Sequence, residues 1–275
     1  MFELAYTEWK QKSQKFELRN NPFIDGKFIN AHSGQTYQMY DPVSENLLAT
    51  VASCDRYDVN RAIQSALQVY KSKGWIETPF AERKVILNAL IELVVDNKEE
   101  LALLETLDMG KQAVETLHLD RISASAILRW YAKGGQEYLK ALAFPKNMDT
   151  LNEPQPSIGV VGVIIPCNFP LHQILCNIFP LLLAGNSIVI KPPIESPHGV
   201  LRVAELSAQA GLPNGVLNVL PGFTHKTGKA IAFHHDIDKL FFYLPWGSKV
   251  CSVNFGNPLK RIKQGFSGMM KSIFL

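Results

Sequence analysis

The pattern of apolar positions divides the chain in two. Between Asn20 and Ala52 apolar residues come in short runs separated by turn formers. In Phe23-Ile24-Asp25-Gly26-Lys27-Phe28-Ile29 an Asp-Gly pair sits between apolar residues, which predicts a hairpin. Helical periodicity follows. Asp58 is placed to cap a helix that runs through Ala62, Ala66 and Val69. Ile86, Leu87, Leu90, Leu93 and Val94 recur at helical spacing within Arg83 to Val95, and Leu101, Leu104 and Leu107 do so within Glu99 to Leu107. The second of these helices ends at Met109-Gly110-Lys111, where Gly110 suits a C-terminal cap. A further helix is predicted over Arg121 to Tyr138. Ala141 to Pro156, rich in Pro, Asn and polar residues, reads as an extended excursion.

From residue 158 onward the pattern changes. Ile158 to Ile165 is a continuous apolar, largely β-branched run, and so predicts a buried strand; Ser187 to Ile190, Val216 to Leu220 and Leu240 to Tyr243 predict three more. Between them lie an apolar helix, Leu171 to Ala184, an amphipathic helix, Val200 to Ala210, and a helix over His225 to Phe233. Strands alternating with helices of this length predict right-handed βαβ units and a parallel sheet. Ligands of such sheets sit beyond the carboxyl ends of the strands.

Composition narrows the class. The chain has 275 residues, 47% hydrophobic and 19% charged, and its mean hydropathy is zero. That excludes a disordered acidic tail, a collagen-like repeat and a disulfide-rich miniprotein. The length is a prior of about two domains. A net charge of +3 is too small to argue for nucleic acid. The charge is uneven: from Lys239 onward there are six basic residues and no acidic one. No repeat of aromatic and basic residues and no continuous amphipathic helix accompanies them, so a solvated basic face is the simplest reading, with no nucleic acid and no membrane as partner. The most apolar stretch, Ile174 to Leu183, carries Asn177 and Pro180 and has half the roughly twenty residues of a membrane span. The first residues lack an apolar signal region. Cys54, Cys167, Cys176 and Cys251 form no CxxC pair, which argues for reduced thiols in the cytoplasm and against a zinc site.

The predicted strand ends carry the candidate chemistry. They read Pro166-Cys167-Asn168-Phe169-Pro170, Lys191-Pro192-Pro193, Pro221-Gly222-Phe223-Thr224 and Leu244-Pro245-Trp246-Gly247, and no GxGxxG follows the first strand. Lys191, closing a core strand, can donate to ribose hydroxyls or phosphate, or else snorkel outward. The Asn168 amide can donate to a developing oxyanion, or serve only as a turn residue.

Taken together, Val161 to Leu171, Ala184 to Pro192 and Ala210 to Val219 closely resemble, in order and spacing, blocks of the NAD(P)-dependent aldehyde dehydrogenase superfamily. Upstream, Phe23-Ile-Asp-Gly, Asp41-Pro42, Trp75, Arg83-Lys84, Glu100 to Asp108, Gly110-Lys111 and Arg129-Trp-Tyr-Ala132 resemble its N-terminal region. The resemblance covers about Glu8 to Lys239 and is nearest to the γ-glutamyl-γ-aminobutyraldehyde dehydrogenases of polyamine catabolism. It implies an aldehyde-dehydrogenase-like α/β fold: a helical N-terminal layer with a parallel Rossmann-type sheet, truncated before the catalytic domain. The implied division is residues 1–140 as the helical and hairpin region, 141–157 as an oligomerisation excursion, 158–243 as the cofactor-binding domain and 244–275 as a divergent basic segment. In the family a cysteine thiolate attacks the aldehyde, hydride passes to NAD or NADP, and a glutamate activates water. The resemblance gives Asn168 the oxyanion role and Lys191 the adenosine ribose. Ile164, Ile165, Pro166 and Cys167 would line the cofactor, and Gly222 and Gly228 would admit its adenine side.

Several positions depart from the family pattern. Cys167 stands in place of Trp. Ile194 stands in place of the ribose-binding carboxylate, with Glu195 one residue later. Tyr243-Leu244-Pro245 stands in place of the small-residue Thr-Gly-Ser turn, and Gln264 to Gly268 holds no carboxylate. None of the four cysteines lies at the nucleophile's position. The expectation is an oxidoreductase of the aldehyde dehydrogenase type for an aminoaldehyde that, as this chain, binds its cofactor weakly and is inactive. A half-sheet would make it a homo-oligomer or prone to aggregate. The alternatives are a non-catalytic nucleotide-binding or assembly subunit, or the product of an interrupted gene.

Overall fold

The structure, a computed structural model, describes residues 17–111, 157–165, 167, 170–244 and 261–266. Strands β1 (Phe23–Ile24) and β2 (Lys27–Phe28) form the predicted hairpin, with Asp25 and Gly26 both at positive φ in the turn. A separate two-stranded ribbon, β3 (Thr36–Tyr40) and β4 (Leu47–Ala52), follows. Three helices come next: α1 (Arg56–Lys71), α2 (Phe80–Asp96) and α3 (Lys98–Met109). The βαβ region runs β5 (Val160–Ile164), α4 (Pro170–Leu183), β6 (Ser187–Lys191), α5 (His198–Gln209) and β7 (Leu217–Val219). A π-helical turn (Thr224–Gly228) leads into α5's short successor α6 (Lys229–Phe233), then β8 (Lys239–Leu244) and β9 (Arg261–Phe266).

The main sheet has seven strands in the order β2-β1-β7-β6-β5-β8-β9. The five strands β7, β6, β5, β8 and β9 are mutually parallel, as alternation of strands and helices predicts. The N-terminal hairpin is attached to them: β1 pairs antiparallel with β7 through Phe23 and Val219. Both faces of the parallel sheet are covered, which is why its strands read as continuous apolar runs. Along β5 the side chains alternate. Val161 and Val163 face a core shared with Leu87 and Leu90 of α2, Phe179 and Leu182 of α4 and Leu201 of α5. Val160 and Ile164 face a second core with Val59, Ala62, Ile63 and Ala66 of α1 and Ile231 of α6.

Two local expectations change. The cap of α1 is Asp55, whose side chain accepts from the Tyr57 and Asp58 N–H groups at 2.7 and 3.2 Å. Asp58, three residues in, completes a capping box by accepting the Asp55 N–H at 2.9 Å. His225 to Phe233 is not one α-helix; its first half is the π-helical turn. Gly110 does cap α3, at φ +68°. The predicted helix at 121–138, the excursion at 141–156, the Pro245–Ser248 stretch and Cys251 lie outside the described residues. Among those described, no helix is long and apolar enough to cross a membrane.

Candidate active site at the carboxyl edge of the sheet

Parallel pairing brings the strand ends to one edge. Ile164 is in register with Lys191 on one side and with Phe242 on the other, and the Ile165 N–H donates to the Lys191 carbonyl at 3.1 Å. Cys167 lies just beyond, half-buried. Pro166 and Asn168 lie outside the described residues, so the oxyanion role of Asn168 stays an expectation.

Lys191 does not snorkel. It is 2% exposed, and its Nζ donates to the Thr224 hydroxyl at 2.9 Å. Burial lowers its pKa to about 8, against the opposing pull of the Glu195 carboxylate. A lysine in this state is a donor held ready at the edge where such folds take their ligands.

Thr224 opens the π-helical turn that follows β7, and the two glycines of this segment have different duties. At Gly222, φ is +143°, and a Cβ would fall 2.3 Å from Thr227 Oγ1 and 3.1 Å from the Cys54 nitrogen. That close approach is needed because the Thr227 hydroxyl donates to the Cys54 carbonyl at 2.6 Å while the Cys54 N–H donates to Pro221 at 3.0 Å. Gly228 instead leaves room at the site: a Cβ there would sit 3.2 Å from Thr224 Cγ2 and 3.5 Å from Ile164 Cδ1. Ile164, Lys191, Thr224 and Gly228 are therefore one neighbourhood, whereas Gly222 supports it from behind.

Glu195 is exposed and lines an adjoining cleft of about 360 Å³ with Tyr37, Met39, Asp108, Ile194 and Phe223. The Tyr37 hydroxyl is buried there without a hydrogen-bond partner among the described residues, and burial pushes it well above the usual phenol range. Behind the cleft is a contact that sequence reasoning missed. His198 is fully buried, with Nδ1 2.5 Å from Asp108 Oδ1, its N–H donating to Asp108 Oδ2 at 3.1 Å, and Nε2 3.0 Å from Asn20 Oδ1. The partners are 90 and 178 residues away, so no local spacing could reveal them.

Two features limit the chemistry. Cys54 is buried, and desolvation together with Asp58 and Asp55 pushes its thiol well up, so it offers no thiolate. And where the resemblance looks for a small-residue turn, β8 simply continues: Tyr243 and Leu244 pair with Gly265 and Phe266 of β9. The cluster His234, His235 and Asp236, whose ligand atoms lie within 4.8 Å of one another, is at the amino end of β8, the opposite edge of the sheet.

Comparison with known proteins identifies the family. The model of the aldehyde dehydrogenase family matches residues 28–263. The NADP/NAD-dependent aldehyde dehydrogenase PuuC of Escherichia coli is 38% identical over 239 residues, 87% of this chain and 48% of the relative. The aminoacetaldehyde dehydrogenase of Pseudomonas aeruginosa is 37% identical over the same shares of the two chains. Among solved structures, an indole-3-acetaldehyde dehydrogenase of P. syringae in complex with NAD+ and IAA superposes with a TM-score of 0.79 at 37% identity, covering 88% of this chain and 49% of that one. The γ-glutamyl-γ-aminobutyraldehyde dehydrogenase of Burkholderia cenocepacia gives 0.77 at 32%, covering 87% and 48%. The chain spans about half the length of the relatives it matches.

Proposed function

Because the chain belongs to the aldehyde dehydrogenase family, we propose that the carboxyl edge of its sheet is the adenosine-binding part of an NAD(P) site serving the oxidation of an aminoaldehyde. The observation that carries this is Lys191, buried at the end of β6 and held by Thr224 beside Ile164 and Gly228. NAD(P)+ in such a site accepts the hydride of the aldehyde. The residues present fit its adenosine half. Lys191 would donate to ribose hydroxyls, Ile164 and Ile165 would line the base and ribose, and Gly228 leaves the gap beside them. Ile194, half-buried, offers no acceptor to a ribose hydroxyl, and Glu195 beside it is the nearest carboxylate in sequence. The pyrophosphate half does not fit, since β8 continues in its ladder with β9 where a turn with free N–H groups would cradle phosphate.

The same observations support the view that the chain holds the nucleotide weakly and that Cys54, buried with its thiol pushed up, is not a nucleophile for an aldehyde. A nucleotide-binding or assembly role without chemistry is the second reading, favoured by the burial and raised pKa of Cys54. The aminoaldehyde class is supported by the names of the matched relatives. The family resemblance of residues 141–157 supports a homo-oligomer, and cysteines without a pairing motif support the cytoplasm.

Calorimetric titration tests the nucleotide reading. NAD or NADP should bind with a Kd no tighter than about millimolar, roughly −4 kcal/mol, and Lys191→Met should weaken 5′-AMP binding further. Micromolar binding would show that the pyrophosphate is cradled after all, and AMP binding unmoved by Lys191→Met would remove the adenosine reading.

A further inference from the structure

Lys191 and Thr224 are 33 residues apart in the chain, yet Thr224 Oγ1 is the only hydrogen-bond partner of the Lys191 ammonium among the described residues. The lysine is buried and the threonine exposed. We propose that Thr224 is a positioning residue for Lys191: its hydroxyl accepts one ammonium N–H and holds Nζ in one direction at the carboxyl edge of the sheet. The inference rests on the adenosine reading above for its functional meaning, but its physical content stands on the contact itself.

A lysine stem has four flexible carbons, so a buried ammonium needs an anchor to point in one direction. Thr224 is well suited to provide it. Its own rotamer is framed by Gly228, where a Cβ would sit only 3.2 Å from Thr224 Cγ2. The methyl thus rests over Gly228 while the hydroxyl turns to Lys191, leaving the remaining two N–H bonds of the ammonium for a ligand. Burial drives the lysine toward the neutral amine, and a hydrogen bond accepted from the charged form opposes that. His225 and Lys226 follow Thr224 on the π-helical turn, and Glu195 lies four residues beyond Lys191. Among the described residues, Glu195 is the one whose charge bears on Lys191, and it favours the charged form.

The test follows the carbon-13 shift of Lys191 Cε through a pH titration of the full chain, with 5′-AMP affinity measured in parallel by calorimetry. Thr224→Val keeps the β-branched shape at an exposed position and removes only the acceptor; Thr224→Ser restores it. In Thr224→Val the Lys191 midpoint should fall by about half a unit or more, and AMP should bind about three- to tenfold more weakly, the effect of one hydrogen bond. Thr224→Ser should match the wild type in both. A Lys191 midpoint that does not move in Thr224→Val overturns the inference whatever the nucleotide does. A midpoint that moves in a protein that binds no AMP upholds the coupling and removes the adenosine reading instead.

Discussion

Single residues in this protein carry opposing demands, and Lys191 shows this best. Its folded-state pKa of about 8 lies below the ordinary 10.5 because burial penalises the charge. Between those values the unfolded chain binds the proton that the folded chain has released, so stability rises with pH across that window. Below about pH 8 both states are protonated and the full cost of the buried ammonium is present. Lys191→Met should therefore be more stable than the wild type to urea at neutral pH, and that advantage should shrink as pH climbs toward 10.5. An advantage that grew with pH would reverse the sign and contradict the burial account. Gly222 makes the complementary prediction. Its φ of +143° and the 2.3 Å approach of Thr227 Oγ1 leave no place for a methyl group, so Gly222→Ala should cost about 2 to 4 kcal/mol, strain and overpacking together. Lys191 was legible in the sequence because a lysine closing an apolar strand is chemically conspicuous. Its partner was not, since Thr224 is an ordinary loop residue until the fold brings it within 2.9 Å.

At the scale of elements, what could be read follows how each element is buried. Strands β5 and β6 lie under helices on both sides, every one of their residues is buried, and their apolar runs announce them. Strand β9, Arg-Ile-Lys-Gln-Gly-Phe, has no such run and was invisible as a strand. The attachment of β1 to β7 depends on a long-range pairing, Phe23 with Val219, which no local pattern encodes. The start of α1 was legible as a cap but one turn off, because Asp55 and Asp58 are both capping residues in type and only geometry separates their roles. Asp55→Ala should cost about 1 kcal/mol, the usual loss of an N-cap. Asp58→Ala should cost more, because its carboxylate is 2% exposed and also accepts the His32 N–H at 2.8 Å. Urea denaturation of the two variants checks the order, and a cheaper Asp58→Ala would contradict the capping box.

Across the whole molecule, the N-terminal region is bound to the sheet domain by polar contacts as well as by the shared core. Arg19 bridges Glu100 of α3 and Glu205 of α5 at 2.7 and 2.9 Å, and Arg202 of α5 reaches the same two carboxylates at 2.9 and 2.7 Å. With the buried His198–Asp108 pair, this joins α3, α5 and the segment before β1 into one frame beneath the carboxyl edge. That frame carries the edge proposed for adenosine, a strand ladder where phosphate would need a turn, and in Cys54 a buried thiol whose pKa is pushed up. The central claim is that the chain supplies nucleotide-binding elements of an aldehyde-oxidising site without a nucleophile of its own. The most direct measurement is NADH formation by the purified 275-residue chain with γ-aminobutyraldehyde-type substrates, repeated with Cys54, Cys167, Cys176 and Cys251 each changed to serine. The account predicts no NADH above the protein-free control in any of the five proteins; sustained turnover by the wild type that disappears with one of the serine changes would contradict it and identify the thiolate.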